Sequence, residues 1–215
     1  MDLYIDNDIV FKLAEYGLLK SFRELVESRN YKIYVLDTLP YIAGFEKASV
    51  ANRVFKYEGS LDSVREFFKL VSIAKISEQE NLDFISRIDH PNLDAGELYL
   101  FGCVLESNQS KFLTGDKRAI VALDSFIGLK KITVNQCEIA FLELVLQAML
   151  NCASPEDVIS KVKPMEDVDS SIKLCFSNAS IENLSSISAA LNSYIDHLTS
   201  KCEHLNFFSP EGCQN

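Results

Sequence analysis

The chain of 215 residues carries 31 acidic against 21 basic residues, a formal net charge of −10 with pI ≈ 4.8. That length suits one large domain, or one of about 150 residues with an appendage, and excludes two full enzyme domains. A hydrophobic fraction of 47% with 24% charged residues excludes disorder, five prolines and eight glycines disfavour an all-β sandwich, and the acidic balance excludes a broad basic surface that holds nucleic acid by counterion release.

At the N-terminus, Met1 to Asp6 shows no basic segment leading into an apolar one, so no secretory signal is read. Leu3-Tyr4-Ile5 reads as a strand ending at Asp6, and Ile9, Val10, Leu13 and Tyr16 are spaced as on a helix that stops at Gly17. A second helix from Leu18 to about Ser28 leads into the β-branched and aromatic run Tyr31 to Leu36, a second strand. Helical spacing follows from about Leu39 to Tyr57, Ser60 to Leu70 and Ser77 to Ile88, until His90-Pro91 breaks the chain.

Asp94 to Leu105 predicts a further helix, Phe112-Leu113-Thr114 a strand closing at Gly115-Asp116, Lys117 to Phe126 a helix, and Lys131 to Val134 a strand. Strands alternating with helices imply an α/β fold with a parallel sheet, whose ligands bind outside the carboxyl ends of the strands. Gln136 to Cys152 reads as one long apolar helix. The longest apolar stretch, Ile139 to Leu150, is interrupted by Glu143 and Gln147 and too short for the ~20 residues of a membrane span, so a soluble, cytoplasmic protein without membrane contact is expected. Ser154-Pro155 opens another helix, Lys163 to Asp167 resembles a linker, and from Ser180 the row Leu184, Ile187, Leu191, Tyr194, Leu198 and Leu205 marks an amphipathic helix. A soft boundary near Ala153 divides residues 1–153 from a helical C-terminal extension over 154–215. The six cysteines form no CxxC pair and read as reduced thiols, and His197, Cys202 and His204 match no common zinc spacing.

Three segments each place an acid where a strand ends or a helix starts: Tyr4-Ile5-Asp6-Asn7-Asp8, Leu93-Asp94-Ala95-Gly96-Glu97 and Phe112-Leu113-Thr114-Gly115-Asp116-Lys117-Arg118. In this order and spacing they resemble the PIN-domain family of metal-dependent ribonucleases, which includes many bacterial toxins, over roughly residues 1–140. The resemblance implies a parallel sheet flanked by helices and an acidic cluster that binds Mg²⁺ or Mn²⁺ to hydrolyse RNA phosphodiesters. Asp6 matches the acid closing the first strand, Glu97 the acid in the first turn of the central helix and Asp116 the acid after the "T-x-D" strand, with Asp94 accessory. The family also places an acid about six residues past the start of the helix after the second strand, where this chain reads Tyr41-Ile42-Ala43-Gly44. That match fails; Glu46 is the nearest substitute and Asp37 the alternative.

The chemistry asks for such donors, because Mg²⁺ and Mn²⁺ prefer carboxylate oxygens and water. Bound ions also invert the local field, so an acidic chain can hold RNA with a few cations. Lys117 and Arg118 are candidates for the substrate phosphate, with Lys12 less certain; Arg118 could equally pair with a neighbouring carboxylate. Each acid has a plainer use. Asp94 with Glu97 is a D-x-x-E capping box, and Asp6 and Asp116 could simply cap the helices that follow them. Capping does not require three distant caps to meet at one sheet edge, which favours a metal site; the resemblance then implies a divalent-metal endoribonuclease, with a catalytically degenerate PIN-like binding or regulatory module as the alternative. An inhibitory or complex-forming protein partner and a homodimer stay open.

Overall fold

The computed structural model describes residues 1–107, 109–130, 137–152 and 154–209. The chain opens with β1 (Asp2–Ile5), α1 (Asn7–Glu15), α2 (Leu19–Ser28) and β2 (Lys32–Val35). It continues through α3 (Leu39–Ile42), α4 (Ala48–Val54), α5 (Ser60–Phe68), β3 (Ser72–Ile73) and α6 (Gln79–Ile85). The central stretch is α7 (Ala95–Glu106), β4 (Ser110–Leu113), α8 (Lys117–Lys130), β5 (Cys137–Ala140) and α9 (Leu142–Cys152). Then follow α10 (Pro155–Val162), α11 (Ser170–Phe176), a 3₁₀ turn at Ile181–Asn183, α12 (Leu184–Thr199) and β6 (Asn206–Phe207).

The described strands form one sheet in the order β3-β2-β1-β4-β5-β6, every pair parallel. Parallel strands need helical crossovers that cover both faces, so central strands become apolar throughout; Leu3, Tyr4 and Ile5 in β1 and Phe112 and Leu113 in β4 are all buried. The chain steps outward from β1 to β3 on one side, then returns to β4 and steps outward on the other. A crevice opens outside the carboxyl ends at such a reversal, and here the reversal lies between β1 and β4. An α/β protein with a parallel sheet flanked by helices is therefore what the residues build. No helix among the described residues is long and apolar enough to cross a membrane.

Several boundaries differ from the periodicity. Cys137 to Ala140 is a strand, not the start of the helix read over Gln136 to Cys152; a short apolar run suits a buried strand as well as a buried helix. Pairing decides it, since these residues lie between β4 and β6, and Glu138 is the register partner of Lys111, whose ammonium it binds. The strand read over Lys131 to Val134 lies outside the described residues. The helix expected from Leu39 to Tyr57 is two, α3 and α4, broken at Gly44. Gly44 has φ 74°, and a Cβ there would stand 2.5 Å from the Ala51 backbone nitrogen, so the chain turns where only glycine fits. Leu205 lies beyond the end of α12, in the approach to β6. Cys103, Cys137, Cys175 and Cys202 are free thiols, whereas Cys152 is disulfide-bonded, so the reading of six reduced thiols does not hold for it.

Residues 154–209 contribute both helices and a strand. α10 and α12 pack against α9, and Ile172, Phe176, Ile187 and Leu191 are buried in the same core as the sheet. Phe207 of β6 meets Phe141 edge to face at 6.1 Å.

Candidate functional site

β1 ends at Ile5, and the Asp6 backbone N–H donates to the Leu113 carbonyl at 2.8 Å, so the first acid leaves the sheet beside the end of β4. Asp6 stands at the N-cap of α1 with extended backbone, yet its side chain makes no cap hydrogen bond. Burial pushes its carboxyl up to about 6; the Asn7 and Asp8 backbone amides oppose that, while the charges of Asp8 and Asp94 add to it. Asn7, 8% exposed, carries a buried side-chain oxygen without a partner. Asp8 pairs with Lys12 at 2.8 Å and lies so close to Gly115 that any side chain there would collide with its carboxylate.

Asp94 and Glu97 form the expected capping box at the start of α7: the Glu97 amide donates to Asp94 Oδ1 at 2.8 Å and the Asp94 amide to Glu97 Oε2 at 3.0 Å. Glu97 is nonetheless only 4% exposed, and burial pushes its carboxyl up to about 7. The Asp94 amide lowers it, and the charges of Asp94, Asp6 and Asp116 raise it further. Three segments far apart in sequence thus meet electrostatically at the edge formed by β1 and β4.

Asp116 has a different setting. Thr114, fully buried, donates to Glu97 Oε1 at 3.4 Å and accepts from the Asp116 amide at 3.2 Å, which ties the second acid to the third. The Asp116 carboxylate accepts from the Arg118 and Ala119 amides at 2.7 and 3.4 Å and pairs with the Arg118 guanidinium at 3.0 Å. Burial would raise its pKa, but the hydrogen bonds from Arg118 and the helix amides hold it below the usual carboxylate value. Of the two fates open to Arg118, pairing with a neighbouring carboxylate is the one observed. Lys117 turns the other way: it binds Glu143 and reaches Ser171 Oγ at 3.1 Å. Lys12 bridges Asp8 and Asp169, the latter at 2.9 Å.

A cleft of about 1160 Å³, open to solvent, runs along these termini; Asp6, Asn7, Asp8, Asp37 and Asp94 contribute its polar wall. Phe11, Ile42 and Tyr99 contribute apolar and aromatic surface. Asp37, exposed just past β2, lines this cleft, whereas Glu46 lies exposed beside a neighbouring hollow. The fold therefore brings Asp37 to the acids and leaves Glu46 outside. Tyr99 and Asn7 went unnoticed in the sequence; the only signal for Tyr99 was its place one turn into the helix that Asp94 opens.

Among the described residues, no cation pairs with Asp6, Asp94 or Glu97, and no three His, Cys, Asp or Glu side chains gather closely enough, as they stand, to hold one ion. The donors suit a hard divalent cation in kind: two carboxyls held up chiefly by burial and further by neighbouring acids, beside an unpartnered amide oxygen. Of these acids, Asp116 is the one engaged in an ion pair, with Arg118. Burial pushes the Cys103 and Cys137 thiols up to about 12, which disfavours the nucleophilic thiolate at either. No protein-family model matches this chain, and no curated protein or solved structure matches it.

Proposed function

We propose that the protein is a divalent-metal-dependent endoribonuclease of PIN-like type, acting in the cytoplasm. One observation carries the reading: Asp6, Glu97 and Asp116 come from the ends of β1 and β4 and the start of α7 and interact at the reversal point of the sheet, an arrangement that helix capping does not call for. Asp6, Asp94, Glu97 and Asp116 would hold Mg²⁺ or Mn²⁺, with Asp37 in place of Glu46 as the further acid. When bound, such an ion lowers the pKa of its water and offsets charge on the phosphate. The chain's own part is to keep Glu97 dry and oriented through Thr114 and the Asp94 amide, to hold Asp6 at the cleft wall, and to release Arg118 from Asp116 toward a substrate phosphate. Lys117 contributes through Glu143 to the placement of α8 rather than through phosphate.

The test is cleavage of single-stranded RNA by purified protein with Mn²⁺ or Mg²⁺. Activity is expected to stop in chelator and to vanish in Asp6→Asn with the circular-dichroism spectrum unchanged. Cleavage undiminished in both would overturn the mechanism. A second reading, a PIN-like binding or regulatory module without catalysis, is favoured by one observation, the Asp116–Arg118 pair that occupies the third acid. Calorimetric titration with Mn²⁺ separates the two, since the module requires no metal binding at this cleft.

A further inference from the structure

Beyond the acids, α3 separates two depressions. Thr38 and Ile42 face the acidic cleft, while Pro40 and Tyr41 border a second hollow with Phe45 and Lys47. Tyr41 is 77% exposed and Ile42 41%, two large apolar side chains side by side on the ridge between them. Neither belongs to the buried core, and the Tyr41 side chain makes no hydrogen bond or ring contact among the described residues, its carbonyl accepting from the Gly44 amide at 3.1 Å. Lys47, exposed at the far side of the hollow, has no ion-pair partner among the described residues, although Glu46 shares that rim. An exposed aromatic ring that shares a hollow with a cation, one residue along α3 from a side chain lining the cleft proposed for the phosphodiester, is a combination by which proteins hold single strands: the ring takes a base face and the cation a backbone phosphate.

We propose that Tyr41 is a stacking platform for an unpaired base of the RNA next to the scissile phosphate, with Lys47 holding the following phosphate, so that the site selects single strands over duplex. The inference rests on the nuclease reading and deepens it. A stacked duplex offers no free base face to a side chain, whereas a single strand can splay a base onto the ring. Ile42 supports the ribose side of that base where the ridge descends into the cleft.

The experiment uses the full chain with Mn²⁺ and a fluorescein-labelled single-stranded RNA carrying hydrolysis-resistant phosphorothioate links, read by anisotropy, alongside a blunt duplex of the same sequence. Tyr41→Ala is expected to weaken single-strand binding at least about fivefold, Tyr41→Phe to keep it, and neither to alter duplex binding. Lys47→Ala is expected to weaken binding and flatten its salt dependence. Because Tyr41 is exposed, thermal melts of these variants should overlay wild type. Unchanged single-strand affinity in Tyr41→Ala, or an equal loss for duplex, would overturn the platform. So would a Tyr41→Ala chain that binds RNA normally but passes from dimer to monomer in sedimentation, since a second copy would then cover the ridge. If Asp6-dependent cleavage persists while Tyr41→Ala binds normally, the platform alone fails; if Tyr41-dependent binding persists without any cleavage, the nuclease reading alone fails.

Discussion

The Asp6 carboxyl is pushed up to about 6 and that of Glu97 to about 7, whereas that of Asp116 is held below its usual value, and the contrast follows from what faces each group. Burial dominates for the first two, with neighbouring acids adding to it and backbone amides opposing it, while Arg118 stands against the third. A carboxyl raised in the folded state stabilises the metal-free protein below its unfolded value, ~4, and that contribution is lost as pH rises through about 6 for Asp6 and about 7 for Glu97. Metal requires the deprotonated forms. The rise in melting temperature on adding Mn²⁺ should therefore be small near about pH 5 and grow toward about pH 8. Asp116→Ala removes a helix cap and should cost about 0.5–2 kcal/mol without metal. A lowered metal-free melting temperature thus does not bear on ligation. The deciding measurement is the Mn²⁺ increment near about pH 8, expected to disappear in Asp116→Ala; an increment equal to wild type would leave Asp116 a cap alone.

At the scale of elements, Lys117 shows how a residue next to a site can serve another part of the fold. Glu143, fully buried at the start of α9, receives the Lys117 ammonium and Ser171 Oγ at 2.8 Å, and its other oxygen has no partner. Lys117→Met would leave that carboxylate unpaired, and the expected loss is about 3 kcal/mol in urea unfolding. Adding Glu143→Gln should recover part of it. A Lys117→Met protein as stable as wild type would free the lysine for a role at phosphate. The same elements explain what could be read beforehand. β1, β4 and the start of α7 were legible because an apolar run ending in an acid, or an acid opening a helical period, leaves a local mark. β5 was not, because Cys137 to Ala140 owes its conformation to strands on either side. β3 and β6 have two residues each, too few to show any period. Asp37 lines the cleft because it follows the carboxyl end of β2, whereas the break at Gly44 ends α3 before Glu46.

For the whole molecule, the question is whether residues beyond Ala153 are an appendage or part of the core that holds the cleft. The N-terminal end of α11 ties down both lysines of the site helices: Asp169 takes Lys12 of α1, and Ser171 takes Lys117 of α8 while also donating to Glu143. Asp124 of α8 accepts the Glu203, His204 and Leu205 amides at 3.1, 2.7 and 2.9 Å, which delivers the chain to β6 against β5. A chain ended at Cys152 would therefore lose the cover of α9, leave β5 as an open edge, and strand Lys12 and Glu143 without Asp169 and Ser171. Open parallel edges and bared apolar helix faces favour association. The shortened protein is expected to unfold over a broad range and to aggregate, and the increment from Mn²⁺ should fall with it because α1 and α8 lose their common tether. Scanning calorimetry decides the matter: a sharp transition with the Mn²⁺ increment of the full chain would show that residues 1–152 form the metal-binding unit alone, with 154–215 an extension added to a finished fold.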